Sequence, residues 1–187
     1  MTYITYLLSE KKMALREILH YPEPLLKQKS LPVTDFNDDL KQLATDMVET
    51  MYDAPGVGLA APQVGVLQRL IILDCSAKDE PDDLLIAVNP EIIAGEGDSL
   101  EEEGCLSVPG YWANVKRHAT ATLRYQDTEG NFCEREADGL LAIGMQHEID
   151  HLEGILFVDR LSPLKRSIFR KKYMKMLQEK EAENGSS

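Results

Sequence analysis

The chain has 187 residues, 43% of them hydrophobic and 28% charged, with a formal net charge of −12. That length points to one domain of ordinary size, able to bury a core without covalent staples. An excess of 32 acidic over 20 basic residues excludes a broad basic face for DNA, and the three cysteines Cys75, Cys105 and Cys133 are too few and uneven for a disulfide framework. A reducing, cytoplasmic setting is expected.

Residues 1–12, MTYITYLLSEKK, lack a basic n-region and a long apolar core. They are expected to be neither a signal peptide nor a membrane span, but an extension ahead of a domain spanning residues 13–187. DFNDDLKQLATDMVETMYDAPG predicts a helix, capped by Asp35 or Asn37, with Leu40, Leu43, Ala44, Met47, Val48 and Met51 at helical spacing and Pro55–Gly56 as its end. A Gly-rich loop, GVGLAAPQVG, follows. QRLIILDC predicts a strand and DLLIAVNPEII one or two more. EEEGCLSVPG reads as an irregular loop after a run of acidic residues. HATATLRYQDTEGNFCEREA alternates about DTEGN and predicts a hairpin.

Asp138 then stands ready to cap a strongly apolar helix, GLLAIGMQHEIDHLE, with Gly154 as its stop. Its apolar residues lie nearly all round, so burial is expected. Residues 165–187 complete the chain as a helix, about Lys165 to Lys180, and a frayed polar tail. Antiparallel strands with a few helices imply an α+β fold, with sheets packed around the HEIDH helix between an N-terminal and a C-terminal helix.

In QHEIDH, His147 and His151 are four residues apart and share one helix face, so both imidazoles can reach one ion. Glu148 can lean over the open side of that ion without binding it, the arrangement of mononuclear hydrolases. The bland alternative is a helix with satisfied core histidines, but buried histidines and a buried glutamate need partners.

A catalytic site of this kind needs a third protein ligand. Phe157 stands where the longer metalloprotease motif would carry histidine, and Glu179, Glu181 and Glu183 lie in a polar tail. Cys75 and Cys133 sit in predicted strands, where a free cysteine is usually a small core residue. Cys105, in a loop that can present both a thiolate and backbone N–H groups, is the leading candidate.

Three segments in this order, GVGLAAPQ at 56–63, EGCLS at 103–107 and QHEIDH at 146–151, resemble the peptide deformylase family, bacterial type. The likeness runs from about Met13 to Leu161. It implies a catalytic domain that removes the formyl group from the N-terminal formyl-methionine of nascent polypeptides. It also implies a divalent metal, usually Fe²⁺ with Zn²⁺, Ni²⁺ or Co²⁺ as substitutes, held by Cys105, His147 and His151. Attack on the formyl carbonyl would come from hydroxide at the metal.

By the same resemblance Glu148 is the general acid/base, and Gln63 with the Leu106 N–H stabilises the oxyanion. Gly58 contacts the substrate, and Val57, Gly104, Leu140, Ile143 and Gly144 line a methionine slot. Gly144 and Trp112 depart from family members that carry a bulkier and a basic residue there. The basic run KRSIFRKKYMK reads first as a solvated face. Docking to ribosomal RNA, as in some family members, is the functional expectation. No membrane partner is expected. A general metalloprotease and a structural Cys/His site stand as alternatives, disfavoured by the missing downstream ligand and by the missing fourth ligand.

Overall fold

Asn37 starts the first helix, α1 (Asp38–Asp53), its side chain accepting from the N–H groups of Asp39 and Leu40 at 3.1 and 3.0 Å. The computed structural model describes residues 14–76 and 83–184, so the expected extension at 1–12 lies outside the described residues. After α1 come β1 (Gly58–Ala60), a 3-10 turn (Ala61–Val64), β2 (Leu70–Leu73), β3 (Leu85–Glu96), β4 (Ser99–Glu103), β5 (Ala113–Arg117), β6 (Thr120–Gln126) and β7 (Phe132–Asp138). Helix α2 (Gly139–Leu152), a 3-10 turn (Phe157–Arg160) and helix α3 (Pro163–Asn184) follow.

One sheet has five strands in the order β1-β2-β3-β6-β7, every neighbouring pair antiparallel; the other is the β4-β5 pair. The α+β class is as expected. β2 shows why its run LIIL is apolar throughout. Alternate side chains point to opposite faces. Leu70 and Ile72 join Leu40, Leu43, Met47 and Met51 of α1, while Ile71 and Leu73 join Met145 and Leu152 of α2. The sheet is thus covered by a helix on each side, and each fully buried side chain contributes about 1.5–3 kcal/mol.

One local expectation is narrowed and three need correction. DLLIAVNPEII forms part of a single strand that passes through Pro90 because the ladder is irregular there: the register shifts between Val88 and Glu91, and Asn89 has φ 50°. The EEE that opens EEEGCLSVPG is no loop but the end of β4, paired to β5 from Ser99↔Arg117 to Glu103↔Ala113. Asp138 stands at the N-cap of α2 without a side-chain cap hydrogen bond. α3 extends beyond the expected Lys165–Lys180 at both ends.

α2 is less uniformly buried than its composition suggested. Leu140 is 55% exposed at the cleft described below, and Leu141, Gly144 and Ile149 are half-buried. Gly154, at φ +71°, ends the helix where a Cβ would lie 2.5 Å from the Lys27 carbonyl oxygen. A third core cluster joins Leu26, Val108, Val115 and Phe157 to Phe169 and Tyr173 of α3. No helix among the described residues is long and apolar enough to cross a membrane.

Candidate metal centre and active site

Helical spacing in α2 sets the His147 and His151 rings 5.1 Å apart, centroid to centroid. The loop after β4 brings Cys105 to them, its Sγ 3.2 Å from His151 Nε2. The three candidate ligand atoms lie within 4.8 Å of one another. Metal–ligand bonds of about 2.0–2.3 Å at tetrahedral angles separate ligand atoms by about 3.5 Å, so the set fits a single ion. Two imidazoles and a thiolate also suit a borderline-soft divalent metal.

His147 is oriented from behind. Its Nδ1 lies 2.8 Å from Glu103 Oε2. Burial pushes the Glu103 carboxyl up, but hydrogen bonds from Arg117 and His147 outweigh it and hold it at about 2. A carboxylate only accepts, so Nδ1 carries the proton and Nε2 is turned to the metal position.

Arg117 of β5 grips Glu103 through Nε and Nη2 at 2.7 and 2.9 Å and reaches Asp150 of α2 with Nη1 at 2.6 Å. Asp150 also accepts from Arg160 Nε at 2.9 Å and from its Nη2. Arg117, Glu103 and Asp150 are all buried. Their desolvation is offset because each charge meets hydrogen-bonded opposite charge. Short-range sequence reading missed this chain of charges. Glu103 abuts Gly104–Cys105, and Asp150 lies inside HEIDH, but nothing local marks Arg117.

Burial opposes a proton on His147, and hydrogen bonds to Cys105 and Glu103 overcome it, raising the imidazole well above its ordinary value. A divalent ion held between His147 and Cys105 would take the place of that proton. Burial and the nearby positive charge of His147 lower His151 well below its usual range, which leaves it neutral and able to offer a ring nitrogen to a metal. Burial pushes the Glu148 carboxyl up to about 7; His147 opposes the rise and Glu103 adds to it. Glu148 Oε2 and His151 Nδ1 are buried with no side-chain or backbone partner among the described residues.

Gln63 is 1% exposed. Its Oε1 accepts from the Ala60 N–H at 2.7 Å, which turns Nε2 toward Ser107 Oγ at 3.2 Å and Cys105 Sγ at 3.6 Å. A cleft of about 730 Å³ gathers Cys105, His147, Glu148, Gln63 and Leu106 with Gly58. Val57, Gly104, Leu140, Ile143 and Gly144 line the same cleft, as does Trp112; His151 sits beneath it, 1% exposed. Two wall residues follow from close approach. A Cβ on Gly58 would lie 2.5 Å from Glu148 Oε1, and one on Gly104 would lie 2.6 Å from the Trp112 Nε1. Cys75 and Cys133 lie apart from the ligand set, half-buried and free.

Residues 15–167 match the family model described as Polypeptide deformylase. A peptide deformylase of Thermodesulfovibrio yellowstonii is 51% identical over 161 residues, covering 86% of this chain and 98% of that protein. A solved peptide deformylase from Legionella pneumophila superposes with a TM-score of 0.82 at 46% identity, covering 89% of this chain and 98% of the other. The Met-Ala-Ser-bound class I type b enzyme from Acinetobacter baumannii superposes with a TM-score of 0.75 at 36% identity, covering 80% and 100%. With the family model spanning most of the sequence and relatives at this identity over nearly their full length, the chain belongs to the polypeptide deformylase family of enzymes.

Proposed function

We propose that this enzyme hydrolyses the N-formyl group from the formyl-methionine that begins new polypeptides, with residues 13–187 as one catalytic domain acting in the cytoplasm. The observation that carries this reading is the convergence of Cys105 Sγ with His147 and His151 at a cleft that the buried Glu148 also lines. Cys105, His147 and His151 would hold a divalent ion there, and that ion would supply Lewis acidity toward the formyl group and water. Fe²⁺ is the ion we assign, with Zn²⁺, Ni²⁺ and Co²⁺ compatible with the same ligands.

Glu148 takes the proton from the attacking water and returns it to the leaving amine, a role its near-neutral carboxyl suits. Charge that develops on the formyl oxygen is met by Gln63 Nε2 and the Leu106 N–H; one such donor is worth about 3–4 kcal/mol. The Ala60 N–H fixes the other end of the Gln63 amide, so its Nε2 can reach the oxyanion by giving up only the long 3.6 Å contact to Cys105 Sγ. The peptide lies along the backbone of Gly58, and its first side chain enters the slot formed by Val57, Gly104, Leu140, Ile143 and Gly144. Formate and a free α-amino group are the products.

α3 carries a second proposal, contact with ribosomal RNA. Lys165, Arg170, Lys171, Lys172 and Lys175 are exposed on it, while Arg166 is half-buried. Neutralising the six should weaken co-sedimentation with ribosomes in a salt-dependent way; unchanged sedimentation removes the idea.

The main reading is tested on enzyme purified anaerobically with Fe²⁺. Formate release from formyl-Met-Ala-Ser is measured beside cleavage of internal peptide bonds. Expected are formate, no internal cleavage, and loss of both metal and activity in Cys105→Ala. Glu148→Ala should retain metal and lose nearly all turnover. Full activity in either variant rejects the assignment.

A further inference from the structure

The cleft that holds the proposed methionine slot is also lined by a residue outside the expected set. Leu73 is the last residue of β2 and pairs directly with Gly58 across the β1–β2 ladder. It lines the cleft, yet it is 0% exposed. Its Cδ2 methyl lies 2.8 Å from where a Cβ on Gly58 would stand, and 2.8 Å from where a Cβ on Gly144 would stand. One methyl group therefore fills the gap between β1 and α2 that two side-chain-free residues leave. Behind it, Cys75 Sγ is 3.8 Å from the same Gly144 position.

The other walls are differently placed. Val57 and Leu140 are 47% and 55% exposed and stand at the mouth, where they can yield to a substrate. Leu73 is packed in the core cluster with Leu85, Met145 and Leu152. A side chain held on all sides cannot change rotamer without displacing its neighbours. An absent side chain at residue 144 does not by itself make a deeper slot here, because Leu73 occupies that volume.

We propose that Leu73 sets the depth of the slot and so selects the first side chain of the substrate: the Cδ2 methyl between Gly58 and Gly144 is the stop against which an unbranched, methionine-sized group ends. Residues 73 and 144 act as a complementary pair, one filling what the other vacates. This rests on the deformylase reading given above.

The test uses Fe²⁺-loaded enzyme and the ratio of kcat/KM for formyl-Phe-Ala-Ser to that for formyl-Met-Ala-Ser. One methylene in an apolar pocket discriminates by about 10-fold or more. Leu73→Ala should raise the ratio by at least about 10-fold, and Leu73→Val, which keeps a strand-forming core residue should the alanine variant fail to fold, should raise it by less. Adding Gly144→Ala to Leu73→Ala should bring the ratio back toward wild type, since the new methyl refills the space.

An unchanged ratio in folded Leu73→Ala or Leu73→Val, or no restoration in the double variant, overturns the proposal, whatever happens to the absolute rate. Wild-type enzyme that releases no formate instead defeats the deformylase reading. The role of Leu73 is then decided by calorimetric binding of Met-Ala-Ser and Phe-Ala-Ser to the same variants, with the same ratio expected to shift.

Discussion

Glu148 and Gly58 occupy each other's space. The carboxylate oxygen stands 2.5 Å from the position a Cβ on Gly58 would take, and Leu73 Cδ2 stands 2.8 Å from it. A methyl group there must displace the group proposed to move the proton. Displacement of about 1 Å in an active site costs on the order of 100-fold in rate. Gly58→Ala should therefore lower kcat/KM for formyl-Met-Ala-Ser by about that factor, with metal content unchanged. Glu103 acts through His147 and not on the substrate. Glu103→Gln keeps the size of the side chain but removes the charge that fixes the His147 tautomer. Metal affinity should fall about 10- to 100-fold, read by competition with a chelator.

Among the elements, α1 and the end of β2 are tied together at Asp74. Its carboxylate accepts from the hydroxyls of Tyr52 and Ser76 and from the Ser76 N–H, and its own N–H donates to the Val57 carbonyl at 2.9 Å. Burial pushes the carboxyl up, but the hydrogen bonds from Ser76 and Tyr52 outweigh it and hold it below the ordinary aspartate value of 3.8. A depressed folded-state value contributes stability above pH 3.8, and that contribution is lost as pH falls through the folded value. Urea unfolding of the wild type should thus weaken below about pH 4 more steeply than that of Asp74→Asn.

Element-level patterns also explain which parts were legible. α1 carries a clear period of 3.6 and the β6–β7 hairpin a period near 2, while β2 and α2 show themselves as dense apolar runs. SLEEE carries neither period; it is a strand because ANVKR lies alongside it, and that pairing is invisible in either segment alone. The three-residue β1 likewise hid within a Gly-rich run read as loop.

Over the whole molecule, α3 closes the third core cluster. Phe169, 1% exposed, meets the rings of Tyr111, Tyr173 and Tyr21 at centroid distances of 4.7, 5.2 and 5.4 Å. Tyr111 belongs to the loop that starts at Gly104 and carries Cys105, so the C-terminal helix backs the strand of chain that presents the thiolate. Phe169→Ala removes a large buried ring and should destabilise by about 3–5 kcal/mol, read as a lowered urea midpoint with an unchanged m-value.

The order of GVGLAAPQ, EGCLS and QHEIDH was enough to propose the ligand set, because HExxH spacing on any helix places two imidazoles on one face. A thiolate three elements upstream could be named as the third ligand by its chemistry, though not located. Only the tertiary structure decided the rest. Arg117 joins Glu103 to Asp150 across 14 and 33 positions of sequence, and Leu73 fits between two glycines from different elements. Local sequence records side-chain chemistry and periodicity; burial, charge pairing and the volume left by a missing side chain arise only when distant segments pack together.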